Sequence, residues 1–251
     1  MNGLKRLAAL AAALGLSFTL AGEVFAGPTP EADSAFDAGI IAYKAGDVTS
    51  AVADWDKAAG GGHAIAAYLL GQLYENGNGV TKSEGMAFRY YKQAAALGQI
   101  DAMIKAGIVY RDGNKEIGVK RNYESAVELF EKAAIAGSSE AQFRLADMYR
   151  RGLGVPVSRS ESLRWLILSG GKHYVPALLE LARIHFDGDG VNQDRVAAWG
   201  FLILANRFAD PMLDGPSVNK AMDKYDVRMK PGEKDASQKA ADDWIAAHEA
   251  S

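Results

Sequence analysis

The chain has 251 residues, with 28 basic and 31 acidic side chains, a formal net charge of −3 and no cysteine. This balance leaves no global basic field for a polyanion, so binding of nucleic acid, which draws affinity from neutralised phosphates, would need a concentrated local patch and is not expected. The absence of thiols excludes disulfides, thiolate metal sites, a cysteine nucleophile and an acylated lipoprotein cysteine.

Residues 1–26 have the layout of a cleaved secretory signal. Lys5 and Arg6 precede an uncharged apolar run from Leu7 to Leu20, and Val24-Phe25-Ala26 places small or permissive residues before Gly27. The run is shorter than the roughly 20 residues that cross a bilayer, and Gly27, Pro28 and Pro30 follow directly. Cleavage, rather than a retained anchor, is therefore expected, with no stable membrane insertion of the mature chain. Loss of the leader would remove two basic side chains and one acidic one, leaving a charge of −4.

After a short linker at 27–32, residues 33–63 form a compact helical pair. Ala35, Gly39 and Tyr43 lie on its first helix, and Ala51, Trp55, Ala58 and Ala59 on its second. Four longer units follow, at about 64–99, 100–138, 139–174 and 175–210. Ala66, Leu70, Gly71 and Tyr74 of the first return as Ala102, Ala106, Gly107 and Tyr110. They return again as Ala141, Leu145, Ala146 and Tyr149, then as Ala177, Leu181, Ala182 and His185. The step from Leu70 to Ala106 is 36 residues, as is that from Leu145 to Leu181, while Ala106 to Leu145 is 39. The three extra residues sit in the loop Gly113–Val119, so helical register is kept on both sides.

The second half of each unit also repeats, as Ala87-Tyr90-Tyr91-Ala94, Ala126-Leu129-Phe130-Ala133, Ser162-Trp165-Leu166-Ser169 and Ala198-Phe201-Leu202-Ala205. Apolar residues at three- and four-residue steps describe one face of an amphipathic helix. Each unit is thus helix, glycine-rich loop, helix. A single pair cannot bury both of its faces, so the units must stack. Asp210-Pro211 and Gly215-Pro216 end the array. Within 211–251, Ser217 to Met229 and Asp235 to His248 read as two polar capping helices, with Trp244 and Ile245 closing the stack.

This pattern, A-x-x-x-L-G-x-L-Y-x-x-G-x-G-V followed by A-x-x-Y-Y-x-x-A-A-x-x-G, closely resembles the Sel1-like repeat family, a relative of the tetratricopeptide repeats, over about residues 33–209. The resemblance implies an all-α fold, a right-handed α/α solenoid, with 33–63 as a tetratricopeptide-like N-terminal cap. Two departures stand out. The third unit ends Ser169-Gly170-Gly171-Lys172-His173, and the fourth has His185 where an aromatic is expected. Both suggest looser packing toward the C-terminal half.

Motifs for chemistry are sparse. None of the four histidines has a second at the i+4 spacing of a helical metal site. Asp187-Gly188-Asp189-Gly190 fails as a calcium loop because Val196 would occupy the acidic twelfth position. No nucleophile elbow or phosphate-binding loop is present. No cofactor, no metal and no enzymatic activity are expected.

A protein partner is expected instead. First helices of such repeats line the concave side, and their variable positions include Leu69, Lys105, Arg144 and Glu180, then Gln72, Ile108, Asp147 and Arg183. With Arg111, Arg150 and Arg151 these make a partly basic ridge, moderated by Asp112 and Asp147. Its two readings are a groove for an acidic or extended partner segment and an ordinary solvated helix face. The family resemblance further implies a periplasmic adaptor or regulator of envelope signalling or polysaccharide production. The alternatives are a secreted host-interaction factor and, more remotely, an enzyme acting on cell-wall or β-lactam substrates.

Overall fold

The computed structural model describes residues 18–20, 23–25, 27–230 and 232–249. A short antiparallel pair, β1 (Phe18–Leu20) and β2 (Glu23–Phe25), comes first. Otherwise the expected leader, with its cleavage point, lies outside the described residues. The rest of the described chain is helical, and it divides into two compact units, Met1–Ala136 and Gly137–Ser251.

The first unit holds three hairpins: α1 (Pro30–Lys44) with α2 (Val48–Gly60), α3 (Ala64–Asn76) with α4 (Glu84–Ala96), and α5 (Ile100–Asp112) with α6 (Tyr123–Ile135). Each helix starts where a side chain satisfies an otherwise orphaned amide. Ser83 accepts from the Met86 N–H, Asn122 from Ser125, and the His63 ring from Ala66. Gly77 then stops α3 in the left-handed region, at φ 75°, where a side chain would be strained.

Paired helices approach closely at Gly39, Gly71 and Gly107. A Cβ on Gly71 would lie 2.5 Å from Cε1 of Tyr91, one on Gly107 would lie 2.6 Å from Cε1 of Phe130, and one on Gly39 would collide with the Trp55 indole. Tyr74, at the end of α3, stacks on Tyr90 with ring centroids 5.7 Å apart, filling the space left there.

One feature of the loops escaped the repeat pattern. The residue that caps each second helix donates its backbone N–H to the carbonyl of the aromatic position ending the first. The bonds are Ser83 to Tyr74 (2.9 Å), Asn122 to Tyr110 (2.7 Å), Ser158 to Tyr149 (3.0 Å) and Asp194 to His185 (2.8 Å). The long loop of the second repeat keeps this bond, so its extra residues bulge outward and leave the hairpin unchanged.

The second unit contains α7 (Ser139–Arg151) with α8 (Arg159–Gly171), α9 (Val175–Asp187) with α10 (Arg195–Phe208), then α11 (Gly215–Asp226) and α12 (Glu233–Glu249). Here the expectation of looser packing fails. Ser169 is fully buried and its hydroxyl donates to the Ser139 carbonyl at 2.7 Å. Gly170 is small because α9 lies against it, where a Cβ would stand 3.0 Å from Leu181 and 3.3 Å from Leu178, and Gly171 because α12 does, where a Cβ would lie 2.6 Å from the His248 ring. Gly200 admits the same helix on α10, where a Cβ would meet the Ser237 carbonyl at 3.3 Å. Trp244 packs edge-on against Phe201, with centroids 4.9 Å apart. The last helix therefore packs on α8 and α10 of its own unit. His185 takes the aromatic place, its ring 5.5 Å from Phe201, and burial holds its pKa below the ordinary imidazole value against the pull of Asp194. It is a packing residue.

Candidate functional site

Lys105 and Arg111 belong to the first unit; Arg144, Asp147, Arg150, Arg151 and Arg183 belong to the second. In the first, Lys105 on α5 reaches Glu75 on α3 at 2.9 Å, and the Tyr91 hydroxyl donates to the same carboxylate at 2.6 Å. Burial alone would raise the Glu75 pKa. The Tyr91 hydroxyl and the Lys105 ammonium outweigh it and hold the group below its ordinary value. Tyr91 moves the other way, pushed far up by burial and then by the anion that accepts its bond. Arg111 pairs through two nitrogens with Asp112, both bonds at 2.8 Å.

In the second unit the helical spacing supplies most partners. Arg144 pairs with Glu140 one turn back, at 2.5 Å. Asp147 accepts from Arg150 at 2.5 Å and from Arg151 at 3.2 Å. Arg150 also approaches Glu180 of α9 at 3.9 Å. Arg183 reaches Glu180 (2.8 Å), Asp187 (3.6 Å) and Asp189 (3.0 Å). Its bond to Glu180, the largest influence, raises its pKa further, and the same guanidinium lowers that of Asp189. The acidic loop dismissed as a calcium site thus serves as a counterion to Arg183 and to Arg159, which meets Asp189 at 3.3 Å.

These basic residues face carboxylates rather than stand as a bare positive ridge. Sequence reasoning named the cations but missed Glu75, Glu140, Asp187 and Asp189 as their counterions. Glu140 and Asp187 could have been found, since they sit four residues from Arg144 and Arg183. Glu75 comes from another repeat and left no local signal. Pairs this accessible each contribute about 0–1 kcal/mol and weaken with salt. A partner can exchange them at little cost, provided it presents both signs of charge.

Beside this network opens a cleft of about 430 Å³. Its walls are Val157, Leu163, Ile184 and Val191, with Ser160 and Ser162 among the lining, and Arg150, Arg159 and Asp189 also line it. A smaller hollow of about 90 Å³ adjoins, bounded by Phe143, Asp147, Leu166 and Glu180. Among the described residues, no helix is long and apolar enough to cross a membrane.

The Sel1 repeat model matches residues 64–99, 100–138, 139–170 and 175–207, more than half of the chain. The chain belongs to the Sel1 repeat family. It is 31% identical over 179 residues to an exopolysaccharide production negative regulator of Rhizobium meliloti (strain 1021), covering 64% of this chain and 67% of that one. A protein of the same description from Rhizobium leguminosarum bv. viciae is 29% identical over 163 residues, 61% of each chain. The chain thus spans about two thirds of the length of these relatives. Among solved structures, a Sel1 repeat protein from Oxalobacter formigenes superposes with a TM-score of 0.61 at 26% identity, over 70% of this chain and 71% of that one. A protective antigen of uropathogenic Escherichia coli with an SLR fold reaches 0.71 at 24% identity, over 86% of this chain and 45% of that one, and shares the fold. The Sel1 assignment rests on the hairpin geometry as well as on the motif. The small positions at 71 and 107 and the four loop bonds are what those repeating residues build.

Proposed function

We propose that this Sel1 protein is an exported, non-catalytic adaptor that restrains exopolysaccharide production by binding a protein of the cell envelope. The observation that carries the reading is the 31% identity, across 64% of the chain, to a protein described as a negative regulator of exopolysaccharide production. The architecture supports it: stacked hairpins leave the first-helix faces of α7 and α9 with exchangeable ion pairs beside a cleft, a surface suited to a protein segment. In this reading the protein is not an enzyme, and it acts in the periplasm after losing residues 1–26. Lys5, Arg6 and the apolar run to Leu20 motivate that placement.

Deletion of the gene tests the function. Exopolysaccharide output should rise and return to normal when the whole chain is resupplied, and unchanged output on deletion would sink the regulator reading. A version lacking residues 2–26 should fail to restore control; full restoration by it would overturn the need for export. Osmotic-shock fluid should contain a mature chain beginning at Gly27, whereas recovery mainly from the culture medium would favour a secreted factor.

A further inference from the structure

The second and fourth Sel1 repeats differ in how their loops meet the repeat before them. In the second, Asn114 and Val119 bond backbone to backbone at 2.7 and 2.8 Å. The Asn114 side-chain oxygen accepts from the N–H groups of Glu116 (3.0 Å) and Ile117 (3.3 Å), and its amide donates to Glu84 at 2.5 Å. The turn held in this way sets Ile117 against the first turn of α4. A Cβ on Gly85 would lie 3.6 Å from Ile117 Cγ2, an ordinary contact distance. The extra residues of this loop thus act as a plug with an aliphatic tip.

The fourth repeat has no such insertion, and beside the first turn of α8 the cleft of about 430 Å³ stands open. Its size falls within the range of about 300–1,000 Å³ usual for ligand sites. Arg159 and Ser160 occupy the positions of Glu84 and Gly85, each pair directly following a serine cap, Ser158 or Ser83. The walls Val157, Leu163, Ile184 and Val191 offer the apolar surroundings that an aliphatic side chain needs. The charge at the mouth is reversed. Where Glu84 takes the Asn114 amide, Arg159 presents a guanidinium that is 72% exposed, with Arg150 also lining the cleft and Asp189 as its one carboxylate. A donor has replaced an acceptor, so the favoured neighbour of the aliphatic residue changes from an amide to a carboxylate.

We propose that this cleft docks an extended segment of the partner protein carrying a branched aliphatic residue three positions after an acidic one, the spacing of Ile117 and Asn114 in the plug of the second repeat with the amide exchanged for an acid. The inference rests on the adaptor reading and names the recognition element that reading lacks. The aliphatic side chain leaves water among Leu163, Ile184 and Val191, and the acid bonds to Arg159, displacing its exposed pair with Asp189.

The test uses the mature chain and a synthetic peptide with the sequence of Gly113–Val119 in which aspartate replaces the asparagine, followed through the methyl resonances of Leu163, Ile184 and Val191. Saturable shifts confined to these methyls are expected. Replacing the peptide isoleucine by serine should weaken binding about tenfold or more. Two exposed substitutions complete the set. Arg159→Glu, at a helix N-terminus that favours an acid, should weaken binding several-fold, and Ser160→Trp should abolish it by filling the cleft. No saturable shift, or equal binding of the serine peptide, would overturn the proposal. Exopolysaccharide output separates this failure from that of the adaptor reading. If Ser160→Trp restores control as well as the native chain, the cleft is not the docking site while the adaptor reading stands. If the native chain itself fails to restore control, the adaptor reading falls, and methyl shifts that depend on the isoleucine would still support the docking site.

Discussion

In the first unit, a glycine on the first helix of each hairpin faces an aromatic ring on the second: Gly39 with Trp55, Gly71 with Tyr91, Gly107 with Phe130. The equivalent positions of the second unit hold Ala146 with Leu166 and Ala182 with Leu202, all fully or almost fully buried. Neither residue type is kept, but the filling of the space between them is. Where the first helix gives up its methyl, the second supplies a ring; where the methyl returns, the partner shrinks to leucine. Close packing in interiors demands this compensation. A mid-helix glycine costs roughly 0.5–1 kcal/mol relative to alanine, which the larger buried area of the ring offsets.

The most damaging way to break the pattern is to remove the ring. Phe130→Ala should cost about 4 kcal/mol, because Phe130 is fully buried and the Gly107 backbone has no side chain to move into the cavity. Leu202→Ala, with the Ala182 methyl still in place, should cost about 3 kcal/mol. Urea unfolding of both variants decides it; a larger loss at Leu202 would contradict the idea that glycine-lined sites depend more on their partner.

A sharper test exchanges the two solutions. Gly107→Ala alone should cost about 2 kcal/mol, since its methyl would stand 2.6 Å from the Phe130 ring. Combined with Phe130→Leu it recreates the pair of the second unit, and the double variant should be more stable than the sum of the two single losses predicts. Additive losses in this cycle would mean that the two positions do not share one contact.

Much of this was legible beforehand. The spacing of Ala66, Leu70, Gly71 and Tyr74 and of their repeats fixed the hairpins, and the insertion could be assigned to one loop. The exchange of volume between positions 107 and 130 was not seen, because each residue is acceptable alone and only their facing positions make them a pair. Ser169-Gly170-Gly171 misled for a related reason. Weak helix formers read locally as a loosened helix end, whereas three other helices fill the space around them: α7 at Ser169, α9 at Gly170 and α12 at Gly171. At the candidate site, the cations stood in the sequence with Glu140 and Asp187 one helical turn away. The contacts of Lys105 with Glu75 and of Arg150 with Glu180 span repeats, and no local pattern announces them.

Ser169 offers a smaller perturbation. Its hydroxyl bonds the Ser139 carbonyl inside the second unit, where Ala94, Ala133 and Ala205 occupy the same place in the other Sel1 repeats. Ser169→Ala should therefore cost about 1 kcal/mol, the loss of one buried bond rather than of packing. Denaturant titration would show it, and a loss as large as that of Phe130→Ala would mean that the serine also fixes the placement of α12.

The smallest expected effect compares two caps. His63 and Ser138 both start a first helix, α3 and α7, and each accepts a backbone N–H, from Ala66 at 3.1 Å and from Ala141 at 3.2 Å. The His63 acceptor is Nδ1, which can accept only while unprotonated; a hydroxyl has no such condition. Its ring stacks on Phe36 at 4.0 Å, and Nε2 lies 3.8 Å from Asp33. Burial lowers the His63 pKa, and the attraction of Asp33 and Asp37 only partly opposes it. The folded state thus binds fewer protons than the unfolded one just below the unfolded value of about 6.5. Stability from this cap is complete above that pH and declines as pH falls toward and through the lower folded pKa. The loss should approach the roughly 1 kcal/mol of one helix cap. His63→Ser should keep the cap and flatten the decline; loss of the stack on Phe36 lowers its unfolding midpoint by a constant amount above pH 7, and that gap should narrow as pH falls toward 5. Parallel curves across that range would show that the His63 ring does not couple the start of α3 to pH.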